Sequence, residues 1–419
     1  MEVYRIEGGR ILRGETCVYG AKNAVLPLLA ACVLIRDTVK LKNCPCLSDI
    51  DGMLGLLKAL GCDVRREGRD LYIDAKNACR HVMPEALSKK MRSSIFMLGP
   101  VLARFGQADF SYPGGCEIGL RPIDLHLQGL RALGAKIEER HGHILCSGKL
   151  TGAAVHLDYP SVGATENVMM AAVLAEGDTV IHNAAREPEI TDLGLFLNRC
   201  GAQVRGMGSG TIRIKGSARL HGVEYEPLPD RIIAGTLLMA GAATQGDVFV
   251  RGARAHQMQA VLAKLREAGC AVNADASGIR LQCMRELKAV RRIETAPYPG
   301  FPTDLQAQMT ALMTRGRGAS VIAENVFENR MQHAAELMRM GADIQVSGRI
   351  AVIRGVERLT GAKVASRDLR GGAALCIAAL TAQGESVVEN IGLIDRGHDR
   401  FEESLSALGA KIYREIQSE

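Results

Sequence analysis

A thiol, a carboxylate and a scattering of cations are the side chains of this sequence whose settings suit chemistry. Cys116 lies in SYPGGCEIGLRPIDLH, Ser111 to His126, behind a Pro-Gly-Gly turn and shortly before Arg121. A thiol becomes reactive when its pKa falls, and this loop offers Arg121 and the N–H groups of Gly114 and Gly115 for that purpose. The plainer alternative is an incidental loop cysteine. Asp304 follows PYPGFPT, whose three prolines stiffen the approach; a rigidly held carboxylate suits an acid or base, although an aspartate next to Thr303 before a helix is more commonly an N-cap. Lys22 in GAKNAVLP stands at a helix start, where N–H groups and the helix dipole welcome a phosphate or carboxylate. Without such an anion, a lysine there is unfavourable unless something negative offsets it.

Other joints between strand and helix have the same character: Arg92 in KKMRSSIF, Ser161 to Thr165 in PSVGATEN, Asp230-Arg231 in LPDRIIAG and Arg370 in RDLRGGAA. Arg92, beside Lys89 and Lys90, is either a ligand contact or a solvated charge. Arg396 in NIGLIDRGHDR is a candidate anion contact with Asp395 as its orienting partner, or else part of a solvated cluster. His182, His256 and the His141/His143 pair lack metal-ligand spacing, and no metal is expected. GMGSG, Gly206 to Gly210, precedes a strand instead of opening a helix, so it reads as a hairpin turn and not as a phosphate-binding fingerprint.

The elements that must position these residues repeat. Six segments begin with an apolar helix, pass a turn and continue into a β-rich run: AVLPLLAACVLIRDTVKLKN, SSIFMLGPVLARFGQADFSY, ENVMMAAVLAEGDTVIHNA, AGTLLMAGAATQGDVFVRGA, LQAQMTALMTRGRGASVIAE and GAALCIAALTAQGESVVENI. A second helix ending in glycine follows each, as in LLKALGCDVRREG, where Gly61 is placed for a left-handed cap. Each unit is therefore expected to run strand, helix, strand, helix, strand, strand. The first helices are apolar nearly all round, so they belong inside, with the sheets outside. Six such units divide into two groups of three.

Composition bounds the rest. The chain has 419 residues, 47% hydrophobic and 23% charged, which fits a globular protein of two domains. Aromatics are 4% with no Trp, a poor basis for stacking on single-stranded nucleic acid. The formal charge of +6 is dispersed and favours small anionic ligands over a nucleic acid or membrane patch. The apolar run Ala24 to Ile35 is too short to span a bilayer, and MEVYRIEGGR has no basic-then-apolar pattern, so a cytoplasmic protein is expected. The 12 cysteines are expected to be reduced, with Cys32, Cys200, Cys270 and Cys376 in the core; Cys44-x-Cys46 has no second pair to make a zinc site.

GAKNAVLPLLAA, PGGCEIGLRPIDLH, PSVGATENVMMAA, AAREPEITD, PDRIIAGT, FPTDLQAQ, VFENRM and DRGHDR stand in an order and spacing that closely resembles the enolpyruvyl transferase family, in its UDP-N-acetylglucosamine 1-carboxyvinyltransferase branch, over essentially the whole chain. The resemblance implies a two-domain inside-out α/β barrel of six βαβαββ repeats, three per domain. One domain would combine residues 1–21 with 230–419; the other would be 22–229 and carry the Cys116 loop.

The implied reaction moves the enolpyruvyl group of phosphoenolpyruvate to the sugar 3-hydroxyl of UDP-N-acetylglucosamine by addition and elimination, with no cofactor. By resemblance Cys116 is the proton donor and the target of the epoxide fosfomycin, on a loop that closes over substrate, and Asp304 takes the sugar hydroxyl's proton. Lys22, Asn23, Arg121, Arg370 and Arg396 match positions around phosphoenolpyruvate. Arg92, Arg121, Pro122, Ile123, Asp124, Leu125, Ser161, Val162, Gly163, Asp304 and Val326 match positions contacting the nucleotide sugar, and Arg330 a further basic position. The chain departs from some members at Tyr159, where they have lysine, and at Ser48, where they have a basic residue. The alternatives are the related enzyme acting on shikimate 3-phosphate and a non-catalytic protein that binds a nucleotide sugar. Oligomeric state is not fixed by the sequence.

Overall fold

The computed structural model describes residues 2–114, 123–217 and 219–416. The chain divides into two compact units, residues 2–19 with 229–416, and residues 20–114 with 123–228. Gly20 and Ala21, expected in the first of these, bond within the second: Gly20 N–H donates to Asn43 O at 2.9 Å and Ala21 N–H to Leu228 O at 2.7 Å.

In the unit built from residues 2–19 and 229–416, helices Arg231–Ala243, Gln306–Met313 and Leu369–Thr381 pack on one another at the centre. They are buried on nearly every side, which their Ala-, Leu- and Met-rich sequences permit and a charged face would forbid. Each large apolar side chain buried there contributes about 1.5–3 kcal/mol. Small residues set the spacing: a Cβ at Gly235 would stand 2.4 Å from Leu305 Cδ1. In the other unit, helices Lys22–Ala31 and Val162–Leu174 and the segment Arg92–Phe105 occupy the same place. That third segment enters as a 3-10 turn, Arg92–Met97, before becoming α-helical at Leu98.

Sheets wrap these helices. In the repeat starting at Ala154, strand Ala154–His156 runs parallel to Asp178–His182, as a helical crossover requires, and Thr211–Lys215 and Gln203–Arg205 follow antiparallel. The GMGSG segment forms the turn of that last hairpin, with Gly206 and Gly208 at φ 82° and 79°. Gly61 ends its helix at φ 95°, the left-handed value that favours glycine.

Three repeats are not contiguous in sequence, and the one built on helix Arg231–Ala243 leads with Arg13–Cys17, which pairs parallel with Asp247–Arg251. The leading strand of the first repeat is Glu224–Tyr225, which pairs parallel with Thr38–Leu41 from the far end of the same unit. The last sheet has the order Lys363–Ala365, Glu385–Glu389, Glu2–Glu7, Lys411–Ile416, so the N-terminal strand fills the slot that the fourth strand of a repeat occupies elsewhere. Among the described residues no helix is long and apolar enough to cross a membrane.

Candidate active site

Asp304 lies in the 3-10 turn Thr303–Leu305 and is not an N-cap; no side chain caps that turn. Its carboxylate joins two arginines instead. Oδ1 accepts from Arg330 Nη2 at 2.7 Å and Oδ2 from Arg370 Nη2 at 2.8 Å. Both guanidiniums are nearly enclosed, their side chains 3% and 5% exposed. Burial by itself would raise the Asp304 pKa, but Arg370 and then Arg330 outweigh it and hold the carboxyl well below the usual carboxylate range. Arg370 Nη1 and Arg330 Nε are buried with no hydrogen-bond partner among the described residues.

Arg370 owes its place to a helix start. Asp368 caps Leu369–Thr381 by accepting from Arg370 N–H and Gly371 N–H at 2.9 and 3.0 Å. Arg330 is placed by a carboxylate that sequence reasoning missed. Glu324 is fully buried; Oε2 accepts from Thr303 Oγ1, and Oε1 from Thr295 Oγ1, Val326 N–H and Phe327 N–H, at 2.8 to 3.1 Å. Thr303 Oγ1 in turn accepts from Arg330 Nη1 at 2.8 Å. Glu324 thus fixes the backbone at Val326, an expected sugar-nucleotide contact, and the arginine that grips Asp304. Both oxygens of Asp395, the expected partner of Arg396, accept from Arg414, at 2.7 and 2.9 Å. Asp230 is an ordinary cap, accepting from Ile232 and Ile233 N–H.

In the other unit Lys22 opens helix Lys22–Ala31, and the negative group that such a placement demands is Asp49, in the first turn of Ser48–Ala59. The pair is close, Nζ to Oδ2 2.6 Å, and both side chains are about nine-tenths buried. Asn23 follows at half-buried depth. Ser161 caps Val162–Leu174, its Oγ accepting from Ala164 N–H at 3.3 Å. Tyr159 is exposed, and its carbonyl accepts from Ser161 N–H; Ser48 is exposed.

Behind that cap a buried asparagine ties together the segments that carry Arg92, Ile123 to Leu125 and Gly163. Asn167 Oδ1 accepts from Gly99 N–H, and its amide donates to Ile95 O and to His126 Nδ1, at 2.7, 3.1 and 2.9 Å. His126 is therefore oriented with Nε2 protonated. Burial, then the nearby Arg92 charge, push its pKa down to about 3, so it is neutral. Its ring faces Gly163, where a Cβ would meet His126 Cε1 at 2.8 Å. Ile123 is buried and leads into helix Asp124–Ala132, with Asp124 exposed and Leu125 half-buried. Cys116, Arg121 and Pro122 lie outside the described residues. Among the described residues no group of His, Cys, Asp and Glu has the arrangement of a metal site.

Comparison with known proteins places this architecture. The family model for EPSP synthase (3-phosphoshikimate 1-carboxyvinyltransferase) matches residues 6–405. The chain belongs to the enolpyruvyl transferase family. Within that family it is 50% identical over 415 residues to UDP-N-acetylglucosamine 1-carboxyvinyltransferase 2 of Caldanaerobacter subterraneus subsp. tengcongensis, covering 99% of this chain and 100% of that one. It is 51% identical over 417 residues to the protein so named from Carboxydothermus hydrogenoformans, covering 99% of each. Among solved structures, the enolpyruvyl transferase NikO from Streptomyces tendae superimposes with a TM-score of 0.89 at 23% identity, covering 99% of this chain and 98% of that one. EPSP synthase from Acinetobacter baumannii gives 0.78 at 17%, covering 99% and 100%. Both likenesses show the two-domain fold of the family.

Asp49, His126 and Glu324 are the site residues that motif reading passed over. Asp49 had a signal, since a buried lysine at a helix start requires a counter-charge. His126 stood at the end of a quoted motif, but its partner Asn167 is distant in sequence. Glu324 had none, because AENVFENR gives no sign of which glutamate turns inward.

Proposed function

We propose that this protein transfers the enolpyruvyl group of phosphoenolpyruvate to the 3-hydroxyl of UDP-N-acetylglucosamine, releasing phosphate, and so supplies peptidoglycan precursor synthesis from the cytoplasm. The observation that carries the reading is half identity across the whole length to relatives named for that reaction. The geometry around Asp304 supports it.

Addition requires a proton on the methylene carbon of phosphoenolpyruvate and removal of one from the sugar hydroxyl as it attacks the neighbouring carbon. Cys116 gives the first and Asp304 takes the second. The resulting tetrahedral intermediate expels phosphate as its methyl group gives up a proton to a base, which restores the double bond of the enolpyruvyl group. A carboxylate gripped by two guanidiniums is always ionised but a weak proton acceptor. Substrate remedies this. Phosphoenolpyruvate brings a phosphate and a carboxylate, and Arg370 holds a buried N–H without a partner among the described residues. An anion drawn to Arg370, with Lys22, Asn23, Arg121 and Arg396 as further contacts, shares the positive charge that depresses Asp304 and makes it more basic when the acceptor hydroxyl needs a base. Arg92, Arg121 to Leu125, Ser161 to Gly163 and Val326 bind the nucleotide sugar in this reading, Ser161 and Gly163 from the start of their helix.

The shikimate 3-phosphate reaction is the other reading within the family, and 17% identity to one such enzyme supports a common fold only. Phosphate release from phosphoenolpyruvate, measured with UDP-N-acetylglucosamine and with shikimate 3-phosphate offered separately, decides between them. Turnover is expected with the first alone. Cys116→Ala should abolish it, and Cys116→Asp should keep turnover while escaping fosfomycin, because a carboxylic acid donates a proton but does not open the epoxide as a thiolate does. Equal fosfomycin inhibition of wild type and Cys116→Asp contradicts the role of the thiol; binding of the nucleotide sugar without turnover marks a non-catalytic protein.

A further inference from the structure

Arg414, near the end of the last strand, is more completely bonded than a residue of an outer sheet needs to be. Its Nε donates to Glu402 Oε1 at 2.9 Å. Nη1 donates to Asp395 Oδ2 at 2.9 Å and to Glu2 Oε2 at 3.2 Å. Nη2 donates to Asp395 Oδ1 at 2.7 Å and to the Tyr4 hydroxyl at 2.9 Å. Every N–H of the guanidinium is thereby used. Tyr4 lies directly across from Arg414 in the strand pair, is fully buried, and donates its own proton to Glu402 Oε2 at 2.7 Å. Burial, then the hydrogen bond to Glu402, push the Tyr4 pKa far up, so the phenol stays a donor.

Holding the terminal strands together does not require this. Strand Glu2–Glu7 already pairs with Lys411–Ile416 over its whole length, and Ile6 is buried in the core beneath it. What the guanidinium adds is a two-pronged grip on Asp395, the residue before Arg396. Bidentate arginine–carboxylate pairs fix orientation as well as distance.

The segment so gripped lies against the helix that carries Arg370. Asn390 turns the chain at φ 58°, and its amide donates to Ser366 O at 3.2 Å. A Cβ on Gly372 would meet Ile394 Cγ1 at 2.6 Å, and one on Gly397 would meet Leu369 Cδ2 at 2.6 Å. Both contacts fall within the first turns of helix Leu369–Thr381. The backbone at Arg396 is thus seated beside the turn of Arg370, with glycines permitting the approach on each side and Arg414 locking the preceding residue from behind.

We propose that Arg414, with Tyr4 and Glu402, is a positioning residue for Arg396, acting through Asp395 to set the affinity for the anionic three-carbon substrate. This rests on the reading that Arg396 contacts phosphoenolpyruvate.

The test is steady-state kinetics on the full-length enzyme, with melting temperature recorded for each variant, for Arg414→Met, Arg414→Lys, Asp395→Asn, Arg396→Gln and the double variant Arg396→Gln/Arg414→Met. Coupled residues show interaction energies equivalent to roughly a few-fold up to about a hundredfold. Arg414→Met should raise KM for phosphoenolpyruvate about tenfold and leave KM for the nucleotide sugar within about twofold. Arg414→Lys, which keeps one charged bond to Asp395, should recover part of that loss. Asp395→Asn should raise the same KM even though every strand residue is kept. The double variant should be no worse than Arg396→Gln alone. A lowered melting temperature with unchanged KM for phosphoenolpyruvate means a structural staple and overturns the proposal, as does a double variant whose defect is the product of the two single ones. If Arg396→Gln itself leaves that KM unchanged, the underlying assignment of Arg396 falls, an outcome distinct from failure of the clamp.

Discussion

Replacing Asp304 with asparagine keeps the side chain's shape and removes its charge. In the native arrangement the two oxygens bind Arg330 and Arg370 at 2.7 and 2.8 Å, and the carboxylate side chain is 23% exposed between two enclosed guanidiniums. The amide retains one acceptor and presents an NH2 group to the second arginine, leaving a buried cation unpaired. Removing one member of a buried pair costs about 3–5 kcal/mol, and the partial exposure of Asp304 places this change near the lower figure. For a unit of about 200 residues, about 3 kcal/mol lowers the melting temperature by roughly 6–12 °C. Loss of the proposed base should also cost about 10²- to 10⁴-fold in turnover. The pH dependence separates the two effects. Because the folded-state pKa is depressed, the charge stabilises the fold above the unfolded value of about 3.9 and is lost only as pH falls through the lower folded value. The stability gap between wild type and variant should therefore be flat from about pH 5 to 8 and close only below about pH 4. Thermal melts across that range, paired with phosphate-release kinetics, supply both readings. A variant that melts and turns over like wild type refutes the reasoning, and so does an acid limb near neutrality that disappears with the substitution, since that requires Asp304 to titrate there.

Two further outcomes follow from the geometry. Gly163→Ala sets a methyl group 2.8 Å from a histidine ring that Asn167 holds in place. Overpacking of this kind costs about 1–3 kcal/mol, so KM for the nucleotide sugar should rise roughly fivefold to a hundredfold with kcat nearly unchanged; an unaltered KM removes this helix start from the sugar site. Of the 12 cysteines, eight of those described are buried, and burial pushes Cys44, Cys146 and Cys200 up to about 12. Iodoacetamide on the folded protein at pH 7 should therefore modify no more than Cys17, Cys46, Cys79 and Cys116, counted by peptide mass; rapid labelling of a buried thiol would falsify the core assignment.

The repeated order of elements was legible because each first helix is apolar on all sides and each second helix stops at a glycine. The placement of Cys32, Cys200, Cys270 and Cys376 in the core was legible for the same reason. The closure of the first and last repeats was not. Strand Glu2–Glu7 has ordinary alternation, and nothing local says that its partners lie about 380 and 410 residues away. Asp304 was visible as a carboxylate on a stiff approach, but its two arginines come from separate segments, and a sequence shows charge without pairing. For the same reason the bond from Arg414 to Asp395 was not legible, since that guanidinium arrives on a strand paired with Glu2–Glu7.

The closing sheet has a consequence for biosynthesis. Strand Glu2–Glu7 leaves the ribosome well before either of its partners, so its edges stay unpaired until Glu385–Glu389 and Lys411–Ile416 have been made. Residues 20–228, by contrast, include both partners of the pairing between Thr38–Leu41 and Glu224–Tyr225 in one uninterrupted stretch. One unit is therefore available for folding while the other still waits on Lys411–Ile416, and a truncation that removes that strand leaves an edge of Glu2–Glu7 unpaired.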